Sequence, residues 1–177
     1  VILEMGGKNP TIVSKNADLD LAVTGIVRSV FGLQGQKCSA TSRVFVEKPV
    51  YEAFVSKLVA NTNAIKIGDP TQRENWFGPV INRKAYEDYG GYIAALVAAG
   101  TILTGGKKLT EGELANGYYC APTVAVDVPL EHRLWKEEMF LPIVMVAPVN
   151  DLKEAMELAN DVDYGLTAGF VGDPVEA

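Results

Sequence analysis

Histidine occurs once, at His132, and cysteine twice, at Cys38 and Cys120, in a chain of 177 residues. A closed zinc site needs four nitrogen or sulfur ligands, so this inventory nearly excludes a His/Cys metal centre. Two distant cysteines argue against a disulfide framework and suit a reducing compartment. No run of apolar residues approaches the length of a membrane span, and Val1 to Met5 lack the basic, apolar and small-residue order of a signal peptide. Neither a membrane partner nor export is expected. Lys and Arg number 16 against 22 Asp and Glu, for a net charge of -6, and they form no basic stripe. Such a surface offers little to a phosphate backbone, so no nucleic acid is expected either. The P-loop pattern G-x-x-x-x-G-K-[ST] and the dinucleotide pattern G-x-G-x-x-G are both missing, so Gly6-Gly7-Lys8 is no phosphate cradle.

What the chain has in quantity is apolar residues, 48% of the total, enough for one domain with a substantial core. After Asp18, an N-cap residue, Ala22, Val23, Ile26, Val27, Val30 and Phe31 recur at helical spacing until Gly32. Tyr51, Phe54, Val55, Leu58 and Val59 follow Pro49 with the same period. Tyr86, Tyr89, Ile93, Leu96 and Val97 form a third stripe, ended by Gly100, and Leu152, Ala155, Met156 and Ala159 form a fourth. Short β-branched runs lie between them: Thr11 to Val13, Arg43 to Val46, Thr101 to Leu103, Thr123 to Val126 and Ile143 to Val146. Strands alternating with helices predict an α/β fold, a mostly parallel twisted sheet with helices on both faces. In such sheets, active sites cluster at the carboxyl ends of the strands.

Three groups carry residues suited to chemistry. Cys38, in Gly35-Gln36-Lys37-Cys38-Ser39-Ala40, sits in a glycine-containing loop beyond a helix, a setting that can activate a thiol as nucleophile. Cys120, in Tyr118-Tyr119-Cys120-Ala121-Pro122, reads as packing. Glu4 follows Val1-Ile2-Leu3 and precedes two glycines, so a carboxylate at a strand end could turn into a pocket as a general base. Glu138, two residues before Phe140, could bind a ribose diol beside a flat cofactor.

The order of these groups resembles the catalytic domain of the NAD(P)-dependent aldehyde dehydrogenase family. Glu-x-Gly-Gly-Lys from Glu4 is followed by Ala17-Asp18-Leu19-Asp20, then Gly35-Gln36-x-Cys38, Arg43, Gly68-Asp69-Pro70, Gly78-Pro79-Val80-Ile81, Gly105-Gly106, Glu137-Glu138-x-Phe140-x-Pro142 and Tyr164-Gly165-Leu166. Within the family, Phe-Gly-x-x-Gly-Gln-Lys-Cys-Ser-Ala-x-Ser-Arg, met from Phe31 to Arg43, looks most like the branch acting on glutamate semialdehyde, the open form of 1-pyrroline-5-carboxylate.

The resemblance implies Cys38 as the nucleophile that forms a thioester, and Glu4 as the base for its hydrolysis. It implies Glu138 on the nicotinamide ribose of NAD, with NADP the alternative, and Phe140 near the ring. Ser39 would touch the carboxylate end of the substrate. It further implies a cytoplasmic enzyme of proline catabolism, mitochondrial in a eukaryote, working as a homo-oligomer. Residues 1–177 are expected to be one thiol-bearing catalytic domain, a fragment lacking the upstream cofactor domain and a C-terminal oligomerisation segment. By itself it is expected not to turn over aldehyde. Where the family carries Gly, this chain has Leu141, which adds bulk next to the cofactor residues. Three other readings stand beside this one: a dehydrogenase for another small aldehyde, a folded domain without catalysis, and a Cys38–His132 hydrolytic pair, which needs the two side chains within hydrogen-bond reach.

Overall fold

A computed structural model describes residues 1–176. Its strands are β1 (Asn9–Val13), β2 (Thr41–Glu47), β3 (Thr101–Thr104), β4 (Thr123–Val126), β5 (Ile143–Val149) and β6 (Gly169–Val171). Its helices are α1 (Leu19–Phe31), α2 (Lys48–Asn63), α3 (Arg83–Ala99) and α4 (Leu152–Asn160). All four helical stripes and all five β-branched runs therefore became the elements expected of them. β5 runs three residues past the expected Val146, and the three-residue β6 adds a sixth strand.

The strands form one sheet in the order β3-β4-β5-β2-β1-β6, with only β3 antiparallel to its neighbour. Successive residues alternate between two cores. Val13, Val44, Val46, Val144 and Val146 face α1 and α2, whereas Ile12, Phe45, Ile143, Met145 and Ala147 face α3 and α4. Burial of both faces explains why these strands read as continuous apolar runs rather than as alternating ones.

Side-chain caps fix where the helices begin. The Asp18 carboxylate accepts from the Asp20 and Leu21 N–H groups at 3.0 and 3.1 Å. Asn82 caps α3 through Ala85 N–H, and Asp151 caps α4 through Glu154 N–H, both at 2.9 Å. Cys120 is buried, and burial pushes its thiol up to about 12, so the packing role expected of it holds.

One expectation fails at the start of the chain. Residues 1–8 form no strand, so Glu4 does not lie at a strand end. The physical reason is the lack of a pairing partner: Val1, Ile2 and Leu3 have no neighbouring strand among the described residues and are exposed to solvent.

Candidate active site

The chemistry-bearing residues gather at one edge of the sheet, and it is the amino edge. Cys38 and Ser39 lie just before β2, Gly6 to Lys8 just before β1, Glu138 to Leu141 just before β5, and Tyr164 to Thr167 just before β6. The expectation of a carboxyl-end site is therefore overturned. At their carboxyl ends β1, β2 and β5 enter helices almost at once, through residues 14–18, directly at Lys48, and through 150–151. The longer loops that can carry a site, 32–40, 127–142 and 161–168, all enter at the other edge.

Three loops interlock there. The Gly7 N–H donates to Glu138 Oε1 at 2.7 Å. A Cβ on Gly7 would strike the Cys38 carbonyl and the Asn9 amide, so only glycine lets the chain pass behind the cysteine. Gly35, at φ +70°, presses in the same way against the Leu141 carbonyl and binds the cysteine loop to the 138–142 loop. The Asn9 Nδ2 group donates to the Cys38 and Ala40 carbonyls at 2.6 and 2.9 Å. Below this layer, the buried Arg43 guanidinium donates to the Lys8 carbonyl through Nε (2.9 Å) and Nη2 (2.6 Å). It also donates to the Leu158 and Ala159 carbonyls at the end of α4, at 3.1 and 2.9 Å.

Cys38 and Ser39 stand in an exposed turn closed by Ala40 N–H donating to the Lys37 carbonyl at 3.0 Å. Among the described residues no acceptor takes the Cys38 or Ser39 N–H. Ser39 also lines a cleft of about 330 Å³ with Thr11, Ser29, Thr41 and Thr167. There Thr41 Oγ1 lies 3.0 Å from the Thr11 hydroxyl and 2.8 Å from that of Ser29. Glu138 and Phe140 line a crevice together with Gly7 and Lys37, and Phe140 is 43% exposed at φ +55°. Glu4, two residues from this cluster, is exposed and makes no hydrogen bond or ion pair among the described residues.

Leu141 is only 5% exposed and belongs to the same buried core cluster as Trp135, Met139 and Met145, and it also lines the crevice beside Glu138 and Phe140. His132 caps the short 3₁₀ turn at Arg133–Trp135, its Nδ1 accepting from Leu134 N–H at 3.3 Å. No hydrogen bond joins it to Cys38 among the described residues, so nothing here supports the hydrolytic pair.

Lys8, Asn9 and Thr167 were not singled out from the sequence. Asn9 meets partners 29, 31 and 158 residues away, contacts that no local pattern encodes. Lys8 is 1% exposed, its Nζ has no hydrogen-bond partner among the described residues, and burial, helped by the Arg43 charge, lowers its pKa from 10.5 to about 7.

The residues present fit a dinucleotide at this edge. Glu138 Oε1 is held by Gly7, leaving Oε2 to accept from a diol, and a Cβ at Gly6 would fall 2.8 Å from Oε2 and fill that space. Phe140 offers an exposed ring on the same rim.

A family model described as the aldehyde dehydrogenase family matches residues 1–177. This chain belongs to that family. The 1-pyrroline-5-carboxylate dehydrogenase 1 of Halalkalibacterium halodurans is 43% identical over 171 residues, covering 97% of this chain and 32% of the relative. The alpha-ketoglutaric semialdehyde dehydrogenase of Bacillus subtilis is 41% identical over 169 residues, 95% of this chain and 35% of that protein. Among solved structures, a mutant 1-pyrroline-5-carboxylate dehydrogenase of Thermus thermophilus matches with a TM-score of 0.91 and 40% identity, over 98% of this chain and 33% of that one. Betaine aldehyde dehydrogenase of Staphylococcus aureus, in complex with NAD+, matches with a TM-score of 0.94 and 33% identity, over 98% and 34%. The chain thus spans about a third of the length of the curated relatives it matches.

Proposed function

We propose that this chain is the thiol-bearing part of an NAD-dependent dehydrogenase that oxidises a small aldehyde carrying a carboxylate, glutamate semialdehyde first among them. The observation that carries the reading is the interlock at Gly7: its N–H holds Glu138, while its Cβ position abuts the Cys38 carbonyl and the Asn9 amide. Three separate motifs meet on one glycine. The substrate class is supported by relatives named for two semialdehydes, and the cofactor by neighbours solved with NAD.

In this reading Cys38 Sγ, as thiolate, adds to the aldehyde carbon, forming a C–S bond and placing charge on the carbonyl oxygen. The unclaimed Cys38 N–H holds that oxygen, a donor of a kind worth about 3 kcal/mol in other enzymes. Glu138 and Phe140 hold NAD, which supplies the acceptor for the hydride that leaves this carbon. The acyl group left on sulfur is attacked by a water whose proton passes to the Glu4 carboxylate; the C–S bond breaks, and the thiolate departs from the carboxylic acid. Ser39 holds the substrate's carboxylate end. Cytoplasmic location, or the mitochondrial matrix in a eukaryote, and assembly as a homo-oligomer belong to the same proposal.

The test follows NADH formation by a polypeptide of the relatives' length bearing this chain, with a panel of aldehydes. Cys38→Ala should abolish turnover, and Glu4→Gln should leave one burst of NADH per site with little after it, because hydride leaves before hydrolysis. The 177-residue chain alone should form none. Full turnover by Cys38→Ala would end the proposal.

A further inference from the structure

We infer that Asn9 is the positioning residue for the nucleophile, a clamp on β1 that sets the backbone of the Cys38 turn. The inference rests on the reading of Cys38 as nucleophile. Asn9 is 3% exposed, and its amide is satisfied on both sides. Both Nδ2 hydrogens are spent on carbonyls of one turn, those of Cys38 and Ala40, while Oδ1 accepts from Thr167 N–H at 3.2 Å. An amide with two acceptors on one side and a donor on the other has one orientation that satisfies all three. A smaller side chain could not reach both carbonyls.

The strands are shaped around this contact. Between β1 and β2 the register runs Asn9 to Thr41 and then Pro10 to Arg43, so Ser42 is skipped in a bulge. A bulge re-aims the chain beside it, and here it lies where the Cys38 turn enters β2. The turn's own closure, Ala40 N–H to the Lys37 carbonyl, is a single bond. Without Asn9, the peptide between Cys38 and Ser39 has no side chain holding it and can rotate, carrying the thiol and the neighbouring N–H groups off the line of attack. Glu138, by contrast, is held by Gly7 N–H and makes no hydrogen bond with the Asn9 amide among the described residues.

That separation makes the role measurable in the polypeptide of the relatives' length. Asn9→Ala should lower kcat for aldehyde oxidation on the order of 10- to 100-fold, the range expected when a reacting group is misplaced by about an ångström. The KM for NAD should stay within about twofold of the parent value, and one thiol per chain should still react with iodoacetamide, a small reagent that needs no fixed approach. Asn9→Ser keeps one short donor and should fall between the two, which covers the case in which the alanine variant folds poorly. An unchanged kcat in folded Asn9→Ser and Asn9→Ala would overturn the inference. So would a loss of activity that only tracks the fraction unfolded, or a parallel rise in the KM for NAD. If Cys38→Ala retains full turnover, the reading beneath fails; if it is dead while Asn9→Ala is fully active, only the clamp fails.

Discussion

Replacing Lys8 by methionine removes a buried charge while keeping a side chain of similar length, and the structure predicts that the protein becomes more stable. Burial and the nearby Arg43 charge hold Lys8 at about 7 against 10.5, outweighing the opposing pull of Glu137 and Glu138. In the unfolded chain the amine takes up its proton at the ordinary 10.5, so between 7 and 10.5 the unfolded state binds more protons than the folded one. The contribution of Lys8 to native stability therefore rises with pH across that window, and the cost of burying it is largest below the window. At pH 7 that cost is about 4 kcal/mol, taking 1.36 kcal/mol per pH unit over the interval and allowing for half-protonation in the folded state. Urea unfolding of the parent and of Lys8→Met at a series of pH values reads this directly. Buried groups such as Tyr89 and Cys120 titrate alike in both proteins and cancel in the difference. The advantage of the variant over the parent should be larger near neutrality than at pH 10.5 by about 4 kcal/mol. A difference that does not change with pH would refute the reasoning.

Two further outcomes follow from the same layer. Arg43→Met should destabilise the fold by about 3–5 kcal/mol in urea unfolding, because it strips the donors from the buried Lys8 carbonyl and the half-buried Leu158 and Ala159 carbonyls; in the Lys8→Met background the loss should be larger, since in the parent part of it is offset by relief of the repulsion between the two cations. Leu141→Gly restores the residue usual in the family yet should cost about 3–5 kcal/mol, the price of an emptied leucine site plus a flexible backbone, and lower the melting midpoint on the order of 10 °C. Because Leu141 is buried in the core cluster, NAD affinity in the polypeptide of the relatives' length should not improve; a clear gain there would show that its bulk acts on the crevice it lines.

The helices and strands were legible because their signals are local. Asp18 and Gly32 bracket α1 as an N-cap and a terminator, and the apolar period between them needs no knowledge of the rest of the chain. Strand β6 was harder to read, since three residues with one glycine carry almost no period. The segment from Val1 to Leu3 misled for the opposite reason: its residues have strand-like character, but a strand exists only where a neighbour offers hydrogen bonds.

The candidate site was legible as a set of residue types and not as a place. Cys38, Glu138 and Gly7 could be picked out by motif, but the rule that parallel sheets present sites at their carboxyl ends pointed to the wrong edge. That rule assumes the carboxyl ends carry the roomy loops. Here Glu47 runs straight into α2, and two residues separate β5 from α4, so the room lies at the amino edge, where loops 32–40, 127–142 and 161–168 converge. Once the site is at that edge, what each residue does is set by contacts across more than a hundred positions, such as Gly7 to Glu138 and Asn9 to Thr167. A one-dimensional reading sees Gly6-Gly7 as a turn and Asn9 as the first residue of a strand. In three dimensions Gly7 joins the cysteine loop to the 127–142 loop, and Asn9 joins the cysteine loop to the 161–168 loop.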